Sequence, residues 1–377
     1  MSLDSKIEWC DHTWTLVVGC DPVSPACANC YVPPLAVRLE AMGQDKYRGV
    51  AVRIGGKAKF TGQVNFSEAD LVKPLIVRKP GRWFVSSMGD IAHEKLSDEQ
   101  IAEMFGVMAV AGAMGQFNRR KEGDSTTGSS LLADGDDRSG VSGNMRSGPH
   151  TFMVLTKRTA RIASLLHDCH FRELVAAAAY RWGKNRVPAR LLADGIFPPD
   201  GPRGGRSRYW PHPNVFIGCT AENQEQADLR RPDMQRVAAA GWGTFVSYEP
   251  ALGPVDWAGW EFLKQLISGG ESGPKARPHH PDWHRAARDF AEPRGIAYFF
   301  KQHGEWAPGS GDFGAGRFKT VAIARDGRVV HGGHDASAYP RGASSGDGWA
   351  MMHRAGKKAA GRLLDGKRHE EFPVSEV

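Results

Sequence analysis

The chain has 377 residues, 41% of them hydrophobic and 24% charged, with a formal charge of +7 at neutral pH. That length suits one large α/β barrel or two ordinary domains, and no apolar run nears the ~20 residues of a membrane span. The opening Met1-Ser2-Leu3-Asp4 starts no signal-peptide pattern, so the expectation is a cytoplasmic protein with no membrane partner.

In chain order, Lys6-Ile-Glu-Trp-Cys-Asp-His-Thr-Trp-Thr leads into a β-like run, Leu16–Val18. A loop containing Pro and Ser follows, bearing Cys20, Cys27 and Cys30 directly before Tyr31. Leu35–Met42 has helical spacing and stops at Gly43. A second β-like run begins at Arg82, and a helix opened by Ser97-Asp-Glu-Gln runs to about Met114. Residues 116–149 are rich in Gly, Ser, Asp and Arg with almost no apolar periodicity, which predicts a flexible insertion.

The pattern resumes with Thr151–Arg158, the helix Ala160–His167 and an Ala-rich helix around Leu174–Tyr180, before a second insertion rich in Pro, Gly and Arg at 181–213. Further β-like runs start at Asn214, Gly243, Leu266 and Ile296, with helices at Ala227–Ala240 and Trp283–Glu292. Seven short apolar runs alternating with helices imply parallel strands joined by right-handed crossovers. The expected fold is therefore α/β, a (β/α) barrel or partial barrel over residues 1–306. Residues 307–377 read as a Gly-rich segment and a basic C-terminal helix packing on it.

Each run ends in polar residues: Cys20, Ser86-Ser87-Met88-Gly89-Asp90, Thr156-Lys157-Arg158, Glu222-Asn223, Tyr248-Glu249, Gly270-Glu271-Ser272 and Lys301-Gln302. In (β/α) barrels that is the face on which chemistry is built. Ser, Asp and Asn also cap helices, a cause that does not extend to all seven. Three thiolates within eleven residues need a positive partner, and soft sulfur selects zinc, copper(I) or an iron–sulfur cluster. Structural zinc normally closes with four ligands. A 4Fe–4S cluster held by three cysteines keeps one iron open, the arrangement that S-adenosylmethionine (SAM) uses. Cys10, Cys169 and Cys219 are scattered, which fits a reducing compartment better than a disulfide framework.

The motifs K-I-E-W, V-x-G-C-x-x-V-S-P-x-C-x-x-C-Y, V-S-S-M-G-D, V-L-T-K-R, S-Y-E-P-x-L-G-P-V, G-G-E-S-G-P-x-A-R-P, F-F-K-Q-x-G-E-W and G-K-K-A-A-G-R-L-L-D-G span nearly the whole chain. Together they resemble the phage-encoded and bacterial three-cysteine radical-SAM-like proteins. That resemblance implies a radical-SAM-like barrel in a bacterial or phage-infected cell, with Cys20, Cys27 and Cys30 as ligands of a 4Fe–4S cluster. It implies SAM as second cofactor, a reducing partner protein, and a nucleotide or nucleic-acid base as substrate, phage DNA base hypermodification being the most concrete role. Most of the wider superfamily spaces its first two cysteines by three residues, where this chain has six, and often puts an aromatic before the last cysteine, where this chain has Asn29 and then Tyr31.

Carried onto this sequence, the resemblance makes Tyr31, Ser86, Ser87, Asp90, Lys157, Arg158, Glu222 and Asn223 candidates for binding SAM. Asp90 takes its amino group, Lys157 or Arg158 its carboxylate, and Glu222 or Asn223 the ribose. Glu249, Glu271 and Lys301 fall on the substrate side, Lys301 as an anion clamp. Tyr248 and Cys219 are candidate hydrogen-atom donors, although a buried tyrosine and a small core cysteine are the commoner fates.

The positive excess is concentrated in residues 181–208 and 351–368, each with a net of +5, as in a polyanion-binding surface or a solvated one. Two other readings stand beside the radical enzyme. One is a non-catalytic zinc- or cluster-bearing nucleic-acid-binding protein. The other is a barrel hydrolase using Asp90, Glu249 and Glu271 on a divalent metal.

Overall fold

The computed structural model describes residues 5–77, 79–124, 150–187, 210–309, 319–333 and 339–373, apart from Lys6, Arg78 and Pro340. Seven parallel strands form one sheet in chain order: β1 (His12–Trp14), β2 (Arg82–Val85), β3 (Thr151–Thr156), β4 (Val215–Thr220), β5 (Gly243–Tyr248), β6 (Gln265–Gly269) and β7 (Ala297–Gln302). β1 and β7 do not pair, so the sheet is a half-barrel. The free edge of β7 is covered by the chain's end, where the Phe300 amide donates to the His369 carbonyl and Glu371 to Tyr298. Covering an edge in this way removes a site for unwanted pairing.

Alternation along each strand divides two cores. Trp83, Phe152, Val154, Val215, Ile217, Val246, Leu266, Tyr298 and Phe300 face outward to the helices in the main core. Met153, Phe216, Phe245, Ile267 and Phe299 face the concave side, where Trp9 and Cys10 join them and Phe372 packs against the cluster. Side chains two residues apart share a face, so each strand end delivers one residue to the helices and the next to the concave mouth.

The helices start where the sequence supplies caps. Ser97 and Gln100 form a reciprocal capping box, Asn223 accepts from the Gln226 amide, and Asp168 accepts from the His170 amide to separate two helices, Thr159–His167 and Cys169–Gly183. The helix Asp98–Asp124 packs on Cys169–Gly183, with Gly106 set so close that a side chain there would meet Ala178. It runs into the segment expected as an insertion; residues 125–149 and 188–209 of the two expected insertions lie outside the described residues.

One strand differs from expectation. The first barrel strand is His12–Trp14, whereas Val17–Gly19 belongs to a small rim sheet with Asn65–Phe66 and Met88–Gly89. His-Thr-Trp carries no apolar run, yet Trp14 is fully buried and its indole donates to the Asp70 carbonyl. Beyond 306, Ala307–Pro308, Thr320–Ala324, Val329–Gly333 and Trp349–His353 make a four-stranded antiparallel sheet, and the basic segment contributes one helical turn, Lys357–Ala360. No described helix is long and apolar enough to cross a membrane.

Gly218 in β4 tests the concave packing, since a Cβ there would sit 2.3 Å from the Phe245 ring. Gly218→Ala is expected to lower stability by about 1–3 kcal/mol. Adding Phe245→Leu should recover part of that loss, read as non-additivity in urea unfolding.

Candidate functional site

The cysteine loop lies across the C-terminal ends of the barrel strands, and polar groups from several of them hold it there. Its turn is compact: Pro25–Asn29 is one 3₁₀ segment in which the Cys27 amide donates to the Ser24 carbonyl and the Cys30 amide to Cys27. Beyond β4, Glu222 accepts from the Ala26 amide at 3.2 Å and from the Arg230 guanidinium at 2.7 Å, both charged side chains being buried. Beyond β6, Glu271 accepts from the Asn29 amide group at 3.1 Å and from Arg277 through Nε at 2.8 Å and Nη2 at 2.7 Å. Arg277 also donates to the Pro25 carbonyl at 3.1 Å.

Beyond β3, Arg158 donates to Asp90 at 3.2 Å, to Glu94 at 2.6 Å and to the Cys20 sulfur at 3.5 Å. Asp90 is saturated, accepting from the Thr156 hydroxyl, the Lys157 amide and the Ala92 amide as well. Tyr31 donates its hydroxyl to the Ser87 carbonyl, while the Ser87 hydroxyl meets Thr15 at 2.8 Å. Ser86 takes a left-handed backbone with φ of 59°, and its buried hydroxyl has no partner among the described residues.

Cys27 acts electrostatically on both of the other thiols. Burial pushes the Cys20 thiol up to about 11, Asp90 and Cys27 adding to the rise and Arg158 opposing it. Burial also raises Cys30, where Cys27 adds to the rise and Lys157 opposes it. Burial would raise Glu222 too, but Arg230 and the hydrogen bonds it accepts leave it below the usual carboxylate range. Arg158 is held above its ordinary value by Asp90 and Cys20, against burial.

Deeper in the mouth, Lys301 donates to both Glu249 oxygens at 2.8 and 2.9 Å. The Lys157 ammonium has no hydrogen-bond or ion-pair partner among the described residues. Below these groups the concave wall is apolar: Leu155, Phe216, Phe245, Ile267 and Phe299.

Several expected roles are redistributed. Tyr248 is fully buried on the helix side, donating to the Gly253 carbonyl, with its pKa raised well above the ordinary value by burial. Cys219 is likewise in the helix-side core, its thiol pushed up to about 12 by burial. Neither side chain reaches the mouth, because strand alternation turns both outward. Asn223 caps a helix, and Glu222, Glu271 and Asp90 support the loop. The carboxylates assigned to a divalent metal do not share one point: Asp90 pairs with Arg158, Glu249 with Lys301 and Glu271 with Arg277. The sequence reading missed Arg277, Arg230 and the clamping role of Asn29. Arg277 lies inside the motif G-G-E-S-G-P-K-A-R-P, so its proximity to Glu271 was the available signal.

The fold and site define a half-barrel α/β protein with a clamped three-cysteine loop. The chain belongs to the family described as "Protein of unknown function (DUF5131)", whose model matches residues 4–116 and 139–373. No curated protein and no solved structure matches it.

In metal-free protein, Cys20 is expected to alkylate at pH 8 about tenfold more slowly than a free thiol and to speed up towards pH 11. Peptide mass spectrometry after timed iodoacetamide pulses measures this. Glu222→Gln, which leaves the Arg230 charge buried without its counterion, is expected to cost about 3–5 kcal/mol in urea unfolding and to expose the cysteine loop to faster alkylation.

Proposed function

We propose that the chain is a radical-SAM enzyme acting on a nucleotide or nucleic-acid base. The observation that carries this reading is the three-cysteine loop fixed over the C-terminal mouth of a half-barrel with an apolar interior. Among the described residues no three His, Cys, Asp or Glu side chains converge as ligands of a single ion. A cluster takes its cysteines on separate irons, and Cys20, Cys27 and Cys30 lie on one clamped loop. Burial raises the Cys20 and Cys30 thiols and the neighbouring Cys27 adds to both; a bound cation would draw such thiols to the thiolate form.

Cys20, Cys27 and Cys30 would hold the cluster. When bound, cluster and SAM supply one-electron cleavage of the sulfonium and a hydrogen-abstracting radical. The chain's own residues do the rest. Arg158 donates to the Cys20 sulfur, the type of hydrogen bond that tunes a cluster's potential. Lys157, unpartnered beside Cys30, suits a carboxylate, and the orphaned Ser86 hydroxyl offers a polar contact. Lys301 and Glu249 neutralise each other at the inner mouth, so an anionic substrate group competes for Lys301. Phe216, Phe245 and Phe299 keep water from the interior.

Anaerobic iron–sulfur reconstitution followed by electron paramagnetic resonance is expected to give a reduced 4Fe–4S signal that shifts on adding SAM. The signal should vanish in Cys20→Ala/Cys27→Ala/Cys30→Ala. Stoichiometric zinc with no cluster signal would sink the radical reading and favour a zinc-bearing nucleic-acid-binding protein.

A further inference from the structure

Between the cysteine loop and the barrel, residues 46–67 carry five Lys or Arg and no Asp or Glu. At their centre Ala51–Ile54 and Lys57–Phe60 form an isolated two-stranded antiparallel ribbon. Gly55 and Gly56, both at positive φ, make its turn, as a tight two-residue hairpin requires. The register pairs Ala51 with Phe60, Val52 with Lys59, Arg53 with Ala58 and Ile54 with Lys57.

Paired residues share a face. Ala51 and Phe60 therefore lie on the inner face, packed against Val32, Ala36 and Tyr47. The outer face presents Val52, Ile54, Lys57 and Lys59, all exposed, while Arg53, paired with Ala58 on the other face, is exposed near the tip. Arg53, Lys57 and Lys59 have no ion-pair or hydrogen-bond partner among the described residues. Exposed lysines commonly protect a strand edge, but these lysines lie on the face of the ribbon together with two exposed β-branched residues.

The ribbon rises beside the proposed site. Its base ends at Gly62, whose Cβ position lies 3.4 Å from the Asp21 carboxylate, next to Cys20. Lys95 donates to the Gly62 carbonyl, and Gly19 packs against Gln63. On the loop's opposite flank Lys275, exposed, accepts from Asn29 through its carbonyl.

We propose that this ribbon is a docking element for double-stranded DNA, laying Arg53, Lys57 and Lys59 against phosphates beside the cysteine loop. The inference deepens the reading of a nucleic-acid substrate and rests on it for the substrate class. A two-stranded ribbon fits the B-form major groove, about 12 Å wide. The A-form major groove of RNA is too narrow for it. All the ribbon's charge is positive, which matches a phosphate backbone, and its strands extend about 13 Å from base to tip.

The test is fluorescence anisotropy of the full chain, without iron or SAM, on a labelled 20-base-pair DNA duplex over a series of salt concentrations. Wild type is expected to bind with a steep salt dependence. Arg53→Gln/Lys57→Gln/Lys59→Gln is expected to weaken binding about tenfold or more and to lower the log–log salt slope by about 2–3, roughly 0.9 per phosphate contact. Lys57→Arg/Lys59→Arg should keep both wild-type values, which separates lost charge from a misfolded ribbon. No duplex binding by wild type, an unchanged slope in the Gln variant, or equal affinity for a duplex RNA of the same length would each overturn the proposal. Because the assay holds no cluster, failure of the radical reading leaves its outcome intact. A SAM-dependent resonance shift retained without duplex binding sinks the ribbon alone.

Discussion

Three carboxylate–guanidinium pairs, Asp90–Arg158, Glu222–Arg230 and Glu271–Arg277, decide where the cysteine loop sits. Each stands just beyond a barrel strand, and each also touches the loop: Arg158 at Cys20, Glu222 at Ala26, Glu271 at Asn29. Buried ion pairs give modest net stability, because desolvation offsets most of their attraction. What they give here is position. The carboxylates spend their lone pairs on backbone amides and guanidinium forks, so the loop is fixed before any ligand arrives, the condition for an ordered binding site.

The same pairs explain which expectations from sequence held. Six of the seven strands and their parallel order were legible because apolar runs and helix caps are local signals. β1 was not, since His12–Trp14 is a short edge strand whose single large apolar residue is buried by tertiary contact. Nor was the four-stranded sheet after residue 306, whose strands are separated by Gly-rich connections that look unstructured. The cysteines were the plainest signal in the chain. The carboxylates around them were read as ligand contacts because sequence shows a charged residue at a strand end without showing its partner. Arg277 and Arg230 supply those partners from six and eight residues downstream.

Strand alternation settles the paired candidates. Tyr248 and Glu249 are neighbours in sequence, but one must face the helices and the next the mouth. Phe245 points inward and Val246 outward, which sends Tyr248 to the core and Glu249 to Lys301. The same count places Cys219 outward, following Ile217. A hydrogen-donor role for either outward side chain would require breaking a fully buried packing arrangement, whereas Lys157 needs no rearrangement to meet a ligand and Lys301 has only to release Glu249.

With these pairs formed, the cations around the mouth fall into two groups, those held by carboxylates and those left without a partner. Glu222, Glu249 and Glu271 are each matched by a cation and Asp90 shares Arg158 with Glu94, while Lys157 and Lys275 keep ammonium groups with no hydrogen-bond or ion-pair partner among the described residues. The Cys20 and Cys30 thiols, whose pKa values are raised, stay neutral near pH 7 and do not pair with these ammonium groups. The ribbon adds three more unmatched cations on one flank. Positive charge that finds no counterion within the fold is free to act on something outside it, and low-dielectric walls such as Phe216 and Phe245 strengthen the attraction. An anion carrying a flat or apolar moiety satisfies both halves of that surface, charge at the rim and apolar contact within, and a nucleotide has both.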